Sequence, residues 1–389
     1  MGSFIATCFI LAITFKILNK SWASKSFLIY IAIGLLVSYL FSSVNIPLID
    51  PNEISIIALA FLMFFSGFSL SHSYTKSSVL ESVKLACVGT VVPFVCCTVF
   101  TAVTGLIVVA PHGSNQIVHV IFVGIAAGVT SLPFISSIFF ETKLINTTFA
   151  KVILAASSLQ DIIFWPLLTV LIYFGSSQNS AISLSINSFF SLLLFLVIAV
   201  VGIKFQKKIS NFVFHRYGII SEKTLFALPL VAIIIGEASS LGVALCSFTL
   251  GILVSHFKEN YTIEARQKFS ETTINLFIPL YFFTIGNILY AQWNFVFSNA
   301  IAFILTSSAA TIISLTLIQK KPERYWAHSA SYGIAMNTRG GPGIVMAYLA
   351  YSNSLISQTF FTTLLLASII TTIISWGWFS KYSKHGFIS

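Results

Sequence analysis

Apolar residues run along the chain in long blocks separated by short polar or Gly/Pro clusters, and thirteen of these blocks read as membrane spans. They lie near residues 4–18, 27–43, 54–70, 83–109, 117–139, 149–174, 182–203, 225–236, 241–256, 272–290, 294–318, 326–351 and 358–379. Residues 225–256 are too many for one ordinary span, and the stretch from Gly236 to Gly242 (G-E-A-S-S-L-G) supplies the break that divides them. Two spans are irregular at their own centres. In span 12 the segment N-T-R-G-G-P-G (Asn337 to Gly343) cannot continue a regular helix, because proline removes a backbone donor and clashes with the preceding turn. Helix breaks are therefore expected at Gly340, Gly341, Pro342 and Gly343. In span 5 the segment A-A-G-V-T-S-L-P (Ala126 to Pro133) places Gly128 and Pro133 on either side of the polar pair Thr130 and Ser131.

Composition agrees with the pattern. Of 389 residues, 57% are hydrophobic and 8% charged, more apolar surface than a soluble fold of this length buries. The fold class expected is an all-α polytopic membrane protein with about 13 transmembrane helices. The five cysteines sit inside apolar runs without Cys-x-x-Cys or metal-ligand spacing and read as buried packing residues. No cofactor and no resident metal is expected. The first run, Phe4 to Leu18, has Lys16, Lys20 and Lys25 at or after its end, the reverse of a cleavable signal, and reads as a retained span.

Charge fixes an orientation for these spans. All but one of the 21 Lys and Arg residues fall in the stretches that follow odd-numbered spans, and the even loops hold none. Cytoplasmic loops collect basic residues, so the N-terminus is expected outside and the C-terminus in the cytoplasm. Loop bias also accounts for the net charge of +10 without nucleic acid. The expected setting is a bacterial cytoplasmic membrane.

The basic residue left over is Arg339, inside the break of span 12. Its acidic counterpart is Asp161 in span 6, about 12 residues, or roughly 18 Å of helix, from either end of its apolar run. A carboxylate at that depth costs about 2.5–3.5 kcal/mol to insert, which makes a proton or ion site facing the protein interior the first reading. Spans 5 and 12 are seven apart, so they cross the membrane in opposite directions. Broken helices at matching places in oppositely oriented halves point to two inverted repeats with crossed discontinuous helices. The repeats run over approximately 1–175 and 223–380, with a linker helix at 182–204, in one transmembrane domain. Half-helix ends carry partial charges that Asp161 and Arg339 have the signs to offset.

These residues resemble the monovalent cation:proton antiporters, especially the second cation:proton antiporter family. F-L-M-F-F-S-G-F-S-L (Phe61 to Leu70) is similar to that family's third-span pattern, and A-G-V-T-S-L-P-F-I-S-S-I-F (Ala127 to Phe139) to its first broken helix. S-L-Q-D (Ser158 to Asp161) resembles its acidic motif and M-N-T-R-G-G-P-G-I-V (Met336 to Val345) its second broken helix. The resemblance implies an antiporter, not an enzyme, that exchanges Na+ or K+ for H+ by alternating access. Asp161 would carry proton and cation in turn, with Gln160, Thr130 and Ser131 beside it and Arg339 as a fixed countercharge. A homodimer in the lipid bilayer is implied as well.

Two departures bear on this reading. Electrogenic members carry a paired acidic motif, whereas position 160 is Gln, a pattern resembling potassium-efflux members. Many members also have a lysine before the second broken helix, where span 11 has S-S-A-A-T (Ser307 to Thr311). With one acid, the exchange is expected to be electroneutral. Potassium-efflux relatives usually append a cytosolic domain; this chain ends about ten residues after span 13, so no regulatory domain is expected. A sodium-coupled organic-solute symporter of similar crossed-helix fold and a degenerate or sensory transporter remain alternatives. Glu237, beside the break after span 8, is expected at the outer surface. The histidines, at or near span ends, receive no role.

Overall fold

The computed structural model describes residues 26–43, 51–68, 76–105, 116–145, 147–175, 222–238, 243–255, 261–291, 296–319 and 326–382. Spans 1 and 7 of the sequence reading, the second of them the linker helix, lie outside the described residues. The described helices are α1 (Ser26–Ser43), α2 (Pro51–Phe68), α3 (Lys76–Thr104), α4 (Gln116–Gly128), α5 (Leu132–Glu141), α6 (Thr148–Gly175) and α7 (Glu222–Ala238). They continue with α8 (Val243–Ser255), α9 (Ile263–Thr272), a π-helical turn (Thr273–Phe277) and α10 (Ile278–Ala291). Then come α11 (Phe297–Gln319), α12 (Trp326–Met336), α13 (Gly341–Ser352) and α14 (Gln358–Tyr382). Among the described residues five helical stretches, Val79–Thr104, Thr148–Ile172, Ile263–Tyr290, Phe297–Gln319 and Gln358–Tyr382, are long and apolar enough to cross a membrane. The chain is an all-helical polytopic membrane protein. The division of residues 225–256 into two helices holds, as α7 and α8.

Two boundaries differ from the hydropathy reading. Span 4, expected at 83–109, is α3, which starts earlier and stops at Thr104. Gly105 has φ +64° and its N–H bonds Thr101 O at 3.0 Å, a left-handed helix end that glycine tolerates best. Span 10, expected from 272, begins at Ile263. Thr262 caps it, its Oγ1 accepting from Ala265 N–H at 3.1 Å, and the polar turns of I-E-A-R-Q-K-F-S-E-T are helical although hydropathy discards them.

The chain divides into two compact units. The first takes α1, α2 and α7 through α10 from residues 1–72 and 186–293. Its aromatic core joins Phe61, Phe64 and Phe68 to Leu225, Tyr261 and Phe269, and Phe61 stacks on Phe277 with ring centroids 3.8 Å apart. The phenylalanine-rich motif of span 3 is thus packing material. Glycines let two helix pairs touch backbone to backbone: Gly34 meets Gly286 between α1 and α10, and Gly67 and Gly251 lie on the facing backbones of α2 and α8. Close approach by small residues replaces the hydrophobic effect as the source of helix association in lipid. A Cβ at Gly251 would lie 2.9 Å from Phe68 N. Gly251→Val is therefore expected to cost about 1–3 kcal/mol through overpacking, read as a lower thermal midpoint of the detergent-solubilised protein. Glu237, at the end of α7, is exposed.

The second unit takes α3 through α6 and α11 through α14 from residues 73–185 and 294–389. Each half supplies the same series: a long helix (α3 or α11), a broken helix (α4–α5 or α12–α13), and a second long helix (α6 or α14). One apolar cluster gathers Leu85, Phe139, Phe149, Leu315, Tyr332 and Phe379. Lys84, Lys143, Lys151 and Lys381 each adjoin in sequence a residue of this cluster or one packed against it, Leu85, Leu144, Val152 and Tyr382. Of the cysteines, Cys97 and Cys246 are buried as expected, but Cys87 and Cys96 are exposed. They share α3 with exposed Val91, Val95, Val99 and Val103, so an apolar neighbourhood marks an exposed helix face as well as an interior.

Candidate functional site

Both predicted breaks are present, and both lie in the second unit. The residues outside helix are Val129 to Ser131 in the first break and Asn337 to Gly340 in the second. Four residues expected in the breaks belong elsewhere: Pro133 and the run Gly341, Pro342 and Gly343 lie in the first turns of α5 and α13. The physical reason is that proline's fixed φ and missing N–H suit the start of a helix, where that donor has no intrahelical partner. Gly128 is the last residue of α4. At Gly340 a side chain would collide with the ring of Phe134 from α5, its Cβ 2.9 Å or less from the nearest ring carbons, so the second break needs glycine there.

The breaks satisfy each other. Helix ends leave carbonyls without intrahelical donors, and in lipid each must be paired within the protein. Thr130 Oγ1 donates to Met336 O at 2.5 Å, and Ser131 N–H to Thr338 O at 2.7 Å. Arg339 answers in the other direction, its Nη1 donating to Ala126 O at 3.2 Å and Nη2 to Ala127 O at 2.7 Å. A guanidinium thereby caps the C-terminal end of α4, where the helix dipole is negative. Its Cζ also lies 5.3 Å from the Phe303 ring centroid. The second break is tied further to α11 by Asn337 Nδ2, which donates to Ser308 Oγ at 3.1 Å.

Asp161 faces this crossing from α6. On the same helical face, one turn before it, Ser157 Oγ approaches Met336 Sδ at 3.8 Å. Nearly one turn after it, the Phe164 ring packs against Gly128, 2.9 Å from where a Cβ would stand. The spacing 157, 161, 164 is one stripe of a helix, so Asp161 lies between contacts to the ends of both broken helices. It is 1% exposed, and neither carboxyl oxygen has a hydrogen-bond partner in the described chain. No ion pair within 4.0 Å joins it to Arg339; among the described residues the recorded ion pair is Lys268–Glu222, which is exposed. Two more buried oxygens without partners belong to the predicted residues, Ser131 Oγ and Gln160 Oε1. Gln160 is held through its other atom, Nε2 donating to Thr90 Oγ1 of α3 at 3.0 Å.

The fold in which these features sit resembles that of the sodium proton antiporter MjNhaP1 from Methanocaldococcus jannaschii. The TM-score is 0.57 at 15% identity, covering 93% of this chain and 97% of that one. The family described as sodium/hydrogen exchanger, transmembrane, matches residues 4–381. The chain belongs to the sodium/hydrogen exchanger family. Membership of that family places it among membrane transport proteins rather than enzymes. It is 25% identical over 372 residues to a Na(+)/H(+) antiporter of Enterococcus hirae, covering 91% of this chain and 92% of the relative. It is 23% identical over 347 residues to K(+)/H(+) antiporter 1 of Saccharomyces cerevisiae, covering 83% of this chain and 38% of the relative. The chain thus spans about two-fifths of the length of that yeast relative and of an Arabidopsis thaliana relative, Cation/H(+) antiporter 17.

Sequence reasoning missed three parts of the second unit. Asn337 was read only as part of a break. The hydroxyls of α14 were not singled out, although Ser368, Thr371, Thr372 and Ser375 recur at helical spacing in an apolar helix, a legible signal. His119 was placed at a span end; it is fully buried on α4, with Nδ1 2.8 Å from Leu355 O. Nothing local in the sequence marked it.

Proposed function

We propose that the chain exchanges a monovalent cation, Na+ or K+, for H+ across a membrane, with Asp161 carrying each in turn. The observation that carries this reading is the state of the Asp161 carboxyl: buried, without a partner in the described chain, and turned toward the crossing of two broken helices. Buried polar atoms in native proteins are nearly always satisfied. A carboxyl in this position is stable when it holds a proton or a cation and costly when it holds neither. Ser131 Oγ and Gln160 Oε1 are further buried oxygens of the kind that replaces a cation's water, and Thr130 supports the site by tying the first break to Met336.

Alternating access follows from two inverted repeats, a reading supported by the matching series of long, broken and long helices in the second unit. Repeats at approximately 1–175 and 223–380 form one exchanger domain in this proposal. The N-terminus lies outside and the C-terminus in the cytoplasm; the concentration of Lys and Arg in the stretches that follow odd-numbered spans supports that orientation. A homodimer rests on the family resemblance.

Asp161 is the only buried acid among the described residues, and Arg339 keeps its charge because a guanidinium does not lose its proton in proteins. Each passage then moves one positive charge, either H+ or the cation, and exchange is one for one. Excess protons block cation loading and scarce protons starve the return step, so the rate against pH is bell-shaped. In proteoliposomes carrying a pH-sensitive dye, Na+ or K+ pulses should collapse a pH gradient while an impermeant cation does not. A steady Asp161-dependent current under an ion gradient would show net charge movement and overturn the one-carboxylate scheme.

A further inference from the structure

The two breaks are held unequally. The first, Val129 to Ser131, is bonded across the crossing by Thr130 Oγ1 to Met336 O at the end of α12 and by Ser131 N–H to Thr338 O in the second break, while Ser131 O accepts Ile135 N–H at 3.1 Å in the first turn of α5. The second is fastened to a long helix. Thr371 Oγ1 accepts from Arg339 N–H at 3.2 Å, and Thr372 Oγ1 donates to Arg339 O at 2.6 Å. Consecutive threonines of α14 therefore grip both polar groups of one residue's backbone. A turn later, Ser375 Oγ accepts from Thr338 Oγ1 at 2.8 Å and donates to Ile334 O at 3.0 Å. All three hydroxyl residues are 1% exposed.

The hydroxyl protons can be assigned. Thr371 Oγ1 donates its hydrogen within its own helix, to Ala367 O at 2.8 Å with Ser368 O further off at 3.3 Å, which leaves its lone pairs for Arg339 N–H. Thr372 has one hydrogen and two carbonyls within reach, Arg339 O at 2.6 Å and Ser368 O at 2.7 Å. Its bond to the break competes with an ordinary intrahelical one, and the grip on Arg339 O is the exchangeable half of the clamp.

We infer that Thr371 and Thr372 are positioning residues for ion exchange, fixing the backbone of Arg339 so that its guanidinium stays on the C-terminal end of α4 and away from Asp161. This rests on the reading of Asp161 as the carrier. The chemistry is electrostatic. In a low-dielectric interior a guanidinium released from its anchor is drawn to a carboxylate, and there it competes with the transported cation. The clamp keeps the fixed positive charge near enough to hold the crossing together and too constrained to occupy the cation's place. Neither threonine touches the ion.

The test is exchange in proteoliposomes by Thr371→Val, Thr372→Val, the double variant and Thr372→Ser, each with the cation KM and the maximal rate per folded protein. Valine keeps the shape and removes the hydroxyl; serine keeps the hydroxyl. The expected result is a cation KM about tenfold higher in the double valine variant, the size seen when a group that orients an ion site without touching the ion is lost. The maximal rate should change by less than about twofold, and Thr372→Ser should restore the KM. A purely structural role would lower the yield of folded protein and leave the KM of the folded fraction alone. An unchanged or lower KM, with Asp161→Asn inactive alongside, overturns the clamp and leaves the carrier reading standing; exchange by Asp161→Asn overturns both. If the double variant does not fold, the single variants decide, and a wild-type KM in both counts against the proposal.

Discussion

Asp161→Asn is expected to reduce cation-dependent proton movement to the level of protein-free vesicles while the protein still folds and inserts. Asparagine keeps the shape of the side chain and removes both the titration and the charge, so the carrier step loses its two alternative loads together. Folding should survive because a neutral amide escapes the cost of about 2.5–3.5 kcal/mol that insertion scales assign to a carboxylate at mid-membrane. No hydrogen bond to the rest of the described chain is lost, since neither Asp161 oxygen has one. The measurement pairs a dye-monitored pH gradient, discharged by Na+ or K+, with thermal unfolding in detergent. Exchange that persists with intact stability would remove Asp161 from the carrier role.

Arg339→Ala should instead damage the fold. It removes the donors that meet Ala126 O and Ala127 O at 3.2 and 2.7 Å. Charge-assisted hydrogen bonds contribute about 1.5–3 kcal/mol each, so the expected loss is on the order of 3–6 kcal/mol, with two carbonyls of α4 left unpaired in an apolar interior. Arg339→Lys should fall between, because an ammonium is a point charge and cannot present a planar fork to two successive carbonyls. Thermal midpoints of the three proteins, compared at one detergent concentration, check the order wild type, Lys, Ala. Equal midpoints for wild type and Ala would mean that the guanidinium is not what closes the end of α4.

What could be read in advance follows from which forces are local. The positions of the described spans and both helix breaks were legible because hydropathy and proline chemistry act within a few residues; the boundaries failed where a single backbone feature decided, such as the left-handed Gly105 or the Thr262 cap. Burial of Asp161 was legible from its depth in an apolar run. The pairing of Arg339 with α4 was anticipated only as a sign, a cation suited to a C-terminal half-helix, because its partners Ala126 and Ala127 are chosen by tertiary geometry. Gln160 and Thr90, Asn337 and Ser308, and His119 and Leu355 are long-range pairs of the same kind. No spacing rule links residues that meet only after the helices cross.

The crossing also sets an order of events during synthesis. The Thr130 hydroxyl is bonded to a carbonyl 206 residues further along the chain, and Ala126 O waits for an arginine 213 residues away. At a translation rate of about 5–20 residues per second, α4 and α5 exist for roughly 10–40 s before their partners leave the ribosome. Throughout that interval the end of α4 has carbonyls that lipid cannot satisfy. The first broken helix must therefore enter the bilayer late, stay near water at the surface, or be sheltered by the insertion machinery until the second one arrives. A chain interrupted before Arg339 would hold a segment fit neither for membrane nor for water, the kind of exposed defect on which quality-control proteases act.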